Sequence, residues 1–321
     1  MSQENKISSS DMSDTKVADA HDRHWVDTIL MKSLRPYARL ARFERPIGWW
    51  LLLIPGWIAI ALAQIPSGGG IVDVRLLVLF LIGAIAMRGA GCTFNDIVDR
   101  NFDGKVERTK LRPIPSGQVT VIQAIVFLVG LSLIGLAILL QLTQTSIWLG
   151  IASLVLVAIY PFMKRFTYWP QVFLGLAFNW SALVGWAAVQ DNIAPSAWLI
   201  WFGGILWTLG YDTIYAHQDK EDDVRIGVKS TALKLGDATG KWLVVFFGGA
   251  LVLIDVAGWL AGAGIFFHIS IALAAMHSVW QLTRLDINNP DSCLEIFRAN
   301  RNFGLIIFFG TVLDSYMLSL T

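Results

Sequence analysis

The sequence predicts an all-α, polytopic membrane protein of about nine transmembrane helices, and three observations carry that prediction. Only 15% of its 321 residues are charged, and mean hydropathy is +0.57; a soluble domain has about 25% charged residues. Nine apolar runs approach the roughly 20 residues that cross a bilayer. Basic residues gather in alternate loops, as the positive-inside rule requires. The net charge of +1 gives no argument for a nucleic-acid partner. The two cysteines, Cys92 and Cys293, lie too far apart to frame a disulfide or a metal site and read as small buried apolar residues.

Residues 1–33 are polar and rich in aspartate, without an apolar leader core, and read as a disordered cytoplasmic tail. The membrane domain is expected over 34–321. An interfacial helix at about 35–45, with Arg35, Arg39, Arg42 and Arg45, leads into the first span at 46–64. The second, at 73–94, contains Arg88, a charge that must face a polar cavity at that depth. Spans three and four, at 119–141 and 145–163, contain no charged residue, and the fourth is followed by Lys164 and Arg165. The fifth, at 170–189, contains Asn179, which can hydrogen-bond between helices. The sixth lies at 195–213. The seventh to ninth follow at 241–262, 265–283 and 303–320, with Asp255 and Asp314 inside two of them and no role assigned to either. His268 and His277 interrupt the eighth without a ligand pattern.

The loops fix the orientation. One set contains Arg100, Lys105, Arg108, Lys110 and Arg112, then Lys220, Arg225, Lys229 and Lys234, then Arg284, Arg298 and Arg301. The opposite loops, near 65–72, 142–144, 190–194 and 263–264, have no Lys or Arg. The N-terminus and the basic loops are therefore expected in the cytoplasm. A tail too acidic for an import signal favours a bacterial inner membrane.

Two acidic clusters adjoin that inner face. In the first, Asn95, Asp99 and Asp103 recur at i, i+4 and i+8, with Asp96 one position round. In the second, Tyr215, Asp219 and Asp223 repeat the spacing, and Asp212 lies deeper on the same face. Carboxylates stacked this way repel each other unless a cation sits among them. Hard oxygen ligands suit Mg²⁺ shared with substrate phosphates, and the basic residues after the first cluster suit phosphate oxygens. The alternatives are solvated topology charges or a cation-coupled transporter, although transport sites lie nearer the bilayer midplane.

The first cluster reads NDxxDxxxD and the second YxxxDxxxD. With "RPIGWWLLL" (45–53), "MRGAGCTFND" (87–96), "RTKLRPIPSG" (108–117) and "YDTIYAHQDKEDD" (211–223), the chain resembles the UbiA superfamily of intramembrane aromatic prenyltransferases over 35–321. The wording is most similar to the branch whose acceptor is 4-hydroxybenzoate; relatives that act on haem, a naphthoate or a homogentisate are the alternative. The resemblance implies a nine-helix bundle around a central cavity with cap loops, and a polyprenyl diphosphate donor. It implies Mg²⁺ held by Asp96, Asp99, Asp103, Asp219 and Asp223. Diphosphate contacts are expected from Asn95, Arg108, Arg112 and Arg88. Tyr215 and Phe94 are candidates to stabilise an allylic cation. Arg165 is the candidate for the acceptor carboxylate, or else a topology charge, and Asp212 the candidate for the phenol or ring proton. His217 is expected beside the site rather than in it.

Overall fold

The computed structural model of the chain describes residues 25–103, 109–220, 224–225 and 227–320. Helices make up its regular structure, with no strand among the described residues. They are α1 (Trp25–Thr28), α2 (Arg35–Leu40), α3 (Ile47–Gln64), α4 (Val74–Asp103), α5 (Val121–Leu139), α6 (Gln144–Phe166), α7 (Pro170–Phe178), α8 (Trp180–Gln190), α9 (Pro195–Ala216), α10 (Thr231–Leu235), α11 (Thr239–Ala261), α12 (Ile265–Arg284) and α13 (Pro290–Leu318). Each expected span is helical, the fifth as the broken pair α7 and α8. Seven spans are long and apolar enough to cross a membrane by length and composition. The spans of α9 and α13, diluted by Asp212 and tyrosines or by Arg301 and Asp314, fall short, so the count of nine is approximate. Local chemistry sets several boundaries. Prolines open α7, α9 and α13, where a missing N–H costs nothing. The Thr143 hydroxyl caps α6 by accepting from the Ser146 amide.

The chain divides into two compact units. The larger comprises residues 47–84 and 137–320. Its core helix α3 is buried on nearly every side, from Leu53 to Ala63, as expected of a helix apolar all round. Here α3 packs on α8 and α13, α9 on α7 and α11, and α12 on α13. Helix α6 instead exposes Trp148, Leu154 and Val155, side chains that lipid solvates without penalty. The break between α7 and α8 falls at Asn179, whose amide donates to the Gly175 carbonyl at 2.9 Å and to Thr208 Oγ1 of α9 at 2.8 Å. A second polar link crosses the bundle: Trp207 donates to Asn300 at 2.8 Å, and Asn300 to Gln281 at 2.9 Å.

At the α3–α8 contact the backbones nearly touch. A Cβ on Gly185 would sit 2.6 Å from the Gly56 carbonyl oxygen, and a backbone atom cannot swing aside. Gly185→Ala is therefore expected to destabilise the protein by about 1–3 kcal/mol, read as a lowered melting temperature in detergent. An unchanged melting temperature would show that the two helices separate freely.

The smaller unit comprises residues 25–46 and 85–136. Leu40, Ile114, Val119 and Ala124 are buried together, with Tyr37, Ile97, Val121 and Phe127 around them. That cluster joins α2, the inner part of α4, the turn at 109–119 and the start of α5. Within the stretch expected as tail, α1 is held by an ion pair of 2.6 Å from Arg39 to Asp27 and by burial of Val26.

Candidate active site

In the smaller unit, α4 runs unbroken to Asp103, so the first motif has the helical register its spacing requires. Asp96 and Asp99 are almost wholly buried, and Asn95 is half-buried beside them. Asp96 faces arginines. Arg42 Nη2 donates to both of its carboxylate oxygens, at 2.9 and 3.0 Å, and Arg112 Nη1 donates to Oδ1 at 3.3 Å. The turn that delivers Arg112 is tightly bonded: the Arg112 amide donates to the Thr109 carbonyl at 3.0 Å, and the Ser116 hydroxyl to the Arg112 carbonyl at 2.7 Å. Burial opposes charge on Arg42, but Asp96, with help from Cys92 and Glu44, holds its pKa above the ordinary arginine value. Arg88 is half-buried two turns before Asn95 on the same helix. Arg108 lies outside the described residues.

The second motif belongs to the larger unit. There α9 ends at Ala216 and tightens into a 3₁₀ turn at His217–Asp219. Tyr215 is half-buried, with its ring 4.7 Å from that of Phe297, and Asp212 is half-buried one turn deeper. Arg165 is exposed at the end of α6, its guanidinium 5.6 Å from the ring centre of Phe162. The side chains of Asp103 and Asp219, and all of Asp223, lie outside the described residues. Among the described residues, no three His, Cys, Asp or Glu groups converge to hold an ion. What the described part supplies for an ion is Asn95 with the buried carboxylate of Asp99, hard oxygens that fit Mg²⁺ rather than a soft metal, while the Asp96 oxygens are taken by Arg42 and Arg112.

His217 is structural. Its Nε2 pairs with Thr239 Oγ1 at 3.0 Å. Burial, with the charge of Lys220 adding, pushes its pKa down from 6.5 to about 4. The folded state thus refuses a proton that the unfolded chain accepts, so stability should fall as pH drops from 6.5 toward 4. Wild type is expected to lose more melting temperature over that window than His217→Gln; parallel curves would refute this. Sequence reasoning missed Asp314, which accepts from the backbone amides of Gly264 at 2.6 Å and Phe266 at 3.1 Å. It also left Asp255 unpaired, whereas His268 lies 2.7 Å from it. In both cases the only sequence signal is a carboxylate in an apolar span.

The family model described as "UbiA prenyltransferase family" matches residues 52–307. The chain is 50% identical over 290 residues to the 4-hydroxybenzoate polyprenyltransferase, mitochondrial, of Arabidopsis thaliana, covering 90% of this chain and 71% of that protein. The enzymes of that name from Bos taurus and Homo sapiens are 50% and 47% identical over 285 residues, covering 88% of this chain and 76% of theirs. Among solved structures, the apo UbiA homologue of Aeropyrum pernix K1 aligns with a TM-score of 0.69 at 23% identity, over 82% of this chain and 97% of that one. The Archaeoglobus fulgidus homologue bound to GPP and Mg²⁺ aligns with a TM-score of 0.61 at 18% identity, over 89% of this chain and 100% of that one. The mitochondrial names of these relatives overturn the expected bacterial inner membrane. That expectation rested on the composition of the tail, and loop charges identify a membrane face, not which membrane it is. A family model that spans most of the sequence, and relatives about half identical over nine-tenths of it, place the chain: it belongs to the UbiA prenyltransferase family.

Proposed function

We propose that this protein transfers a polyprenyl group from polyprenyl diphosphate to the ring carbon ortho to the hydroxyl of 4-hydroxybenzoate, releasing diphosphate in a mitochondrial membrane. The observation that carries the reading is the identity of 46–50% to 4-hydroxybenzoate polyprenyltransferases over 85–90% of the chain. The buried, helical NDxxDxxxD motif supplies matching chemistry. The reaction is an electrophilic aromatic substitution. The allylic carbon–oxygen bond breaks, its electron pair leaves with the diphosphate, the ring carbon attacks the allylic carbon, and the ring proton is lost.

Mg²⁺, when bound, neutralises charge on the departing diphosphate. Its proposed ligands are Asp99 and Asp103 in the first motif and Asp219 and Asp223 in the second, with Asn95 adding an amide oxygen. Arg88, Arg108 and Arg112 are the proposed diphosphate contacts, since guanidinium pairs bidentately with phosphate oxygens. Tyr215 presents an aromatic face to developing positive charge. Asp212 is the proposed acceptor for the phenol or ring proton, and Arg165 the proposed partner of the acceptor carboxylate. The test is the full chain in lipid nanodiscs with a polyprenyl diphosphate, 4-hydroxybenzoate and Mg²⁺. The expected product is 4-hydroxybenzoate prenylated ortho to its hydroxyl. Folded protein that prenylates only another acceptor would refute the proposal.

A further inference from the structure

Asp96 is held by two arginines, and Arg42 differs from every neighbour in its backbone. Asp96 is completely buried, and its two oxygens accept three guanidinium hydrogen bonds from Arg42 and Arg112. Asp99 lies nearly as deep one turn on. Two guanidinium groups share this one buried carboxylate. A metal ion at Asp96 would have to displace a buried guanidinium and strand it without its counter-ion.

The turn that presents Arg42 is costly. Helix α2 closes with the Arg42 amide donating to the Arg39 carbonyl at 3.1 Å and the Phe43 amide to the Ala38 carbonyl at 3.0 Å. This is the double-bonded helix end whose left-handed position glycine normally fills. Arg42 occupies that position with φ 58°. A side chain there is strained, and such strain persists where the side chain itself is needed. The guanidinium is held at both ends of its fork: Nη1 donates to the Arg39 carbonyl at 2.8 Å while Nη2 holds Asp96.

We propose that Asp96 is a positioning residue rather than a metal ligand. It fixes Arg42 and Arg112 as a paired cationic cradle for the phosphate oxygens of the donor, and Arg42 is a diphosphate-binding residue in its own right. The cradle recognises an anionic diphosphate before any metal arrives, and the remaining carboxylates serve the metal. This rests on the prenyl-transfer reading above.

The test measures binding of inorganic diphosphate to the detergent-solubilised full chain by calorimetry, first in EDTA and then with Mn²⁺. Asp96→Asn should weaken metal-free binding by about tenfold or more, the scale of one lost charge-assisted contact. The factor by which Mn²⁺ tightens binding should stay at its wild-type value. Asp99→Asn should do the reverse. Arg42→Gly suits the left-handed position but leaves the buried Asp96 carboxylate with Arg112 alone, so a melting curve accompanies it, and the folded protein should lose metal-free affinity. The double variant Arg42→Gly with Asp96→Asn should fall little below the weaker single, since the two act as one unit. An Asp96→Asn protein that keeps its metal-free affinity but loses the Mn²⁺ enhancement would overturn the proposal. Wild-type protein that binds no diphosphate under either condition would instead refute the prenyl-transfer reading.

Discussion

Asp99→Asn is expected to lower kcat/KM for the polyprenyl diphosphate by at least about a hundredfold, the scale of losing one preorganised charge-stabilising group. Asp99 is 1% exposed on the inner turns of α4, so an amide of the same volume fits without repacking. What disappears is the negative charge, and with it a hard ligand that Mg²⁺ prefers. The loss should fall on turnover and on the Mg²⁺ activation midpoint together, because the charge matters most as the leaving diphosphate develops its own. The Asp96 arginine pair survives the substitution, so metal-free contact with the donor should persist. Steady-state rates across a Mg²⁺ titration, beside a melting curve to verify folding, make the measurement. If turnover stays within about tenfold of wild type and the Mg²⁺ midpoint does not move, Asp99 is not a metal ligand and the clamp must be rebuilt from other residues.

The spans were legible because lipid leaves a helix few options. Runs such as 46–64 and 119–141 have few polar residues, and their helices match within a few residues. The register of Asn95, Asp99 and Asp103 was legible for a related reason: the apolar period of α4 simply continues into them. Spacing could not distinguish Asp96 from Asp99, since both lie within one turn. The difference comes from Arg42, which is 54 residues away in sequence. Arg42 itself gave no turn signal, because the left-handed position holds an arginine where glycine would have marked it. The break at Asn179 was equally silent, since a single amide in an apolar run can either cap a helix or cross-link it, and here it does both. Family resemblance supplied the acceptor and the roles of Arg165 and Asp212, which composition and spacing do not contain.

Asp314→Ala is expected to cost about 3–5 kcal/mol of stability, because it leaves three backbone amides without their acceptor and a buried unsatisfied donor costs about 1–3 kcal/mol. Helix α12 begins at Ile265 after Gly264, which has no side chain to cap it. Its first amides would be orphaned in an apolar setting. Asp314 of α13 caps them from outside: Oδ2 accepts from Gly264 at 2.6 Å, and Oδ1 accepts from Phe266 at 3.1 Å and Phe267 at 3.3 Å. The carboxylate is 1% exposed, so water cannot replace it, and its charge complements the positive end of the helix. Gly264 is needed for the approach, because a Cβ there would lie 2.9 Å from Oδ1. The asparagine variant separates the contributions. One amide oxygen can serve one side of the cap, while the NH₂ group faces amide donors and repels them, so Asp314→Asn should lose about 1–3 kcal/mol. Melting temperatures in detergent should therefore run wild type, Asn, Ala in descending order. The cap sits at the loop 263–264, which belongs to the set without Lys or Arg. Both acidic motifs adjoin the basic loops, so turnover per folded molecule at low temperature should be unchanged in either variant. An Ala variant that melts with wild type would mean that α12 needs no cap. Lost turnover at undiminished stability would mean that this carboxylate takes part in the chemistry after all.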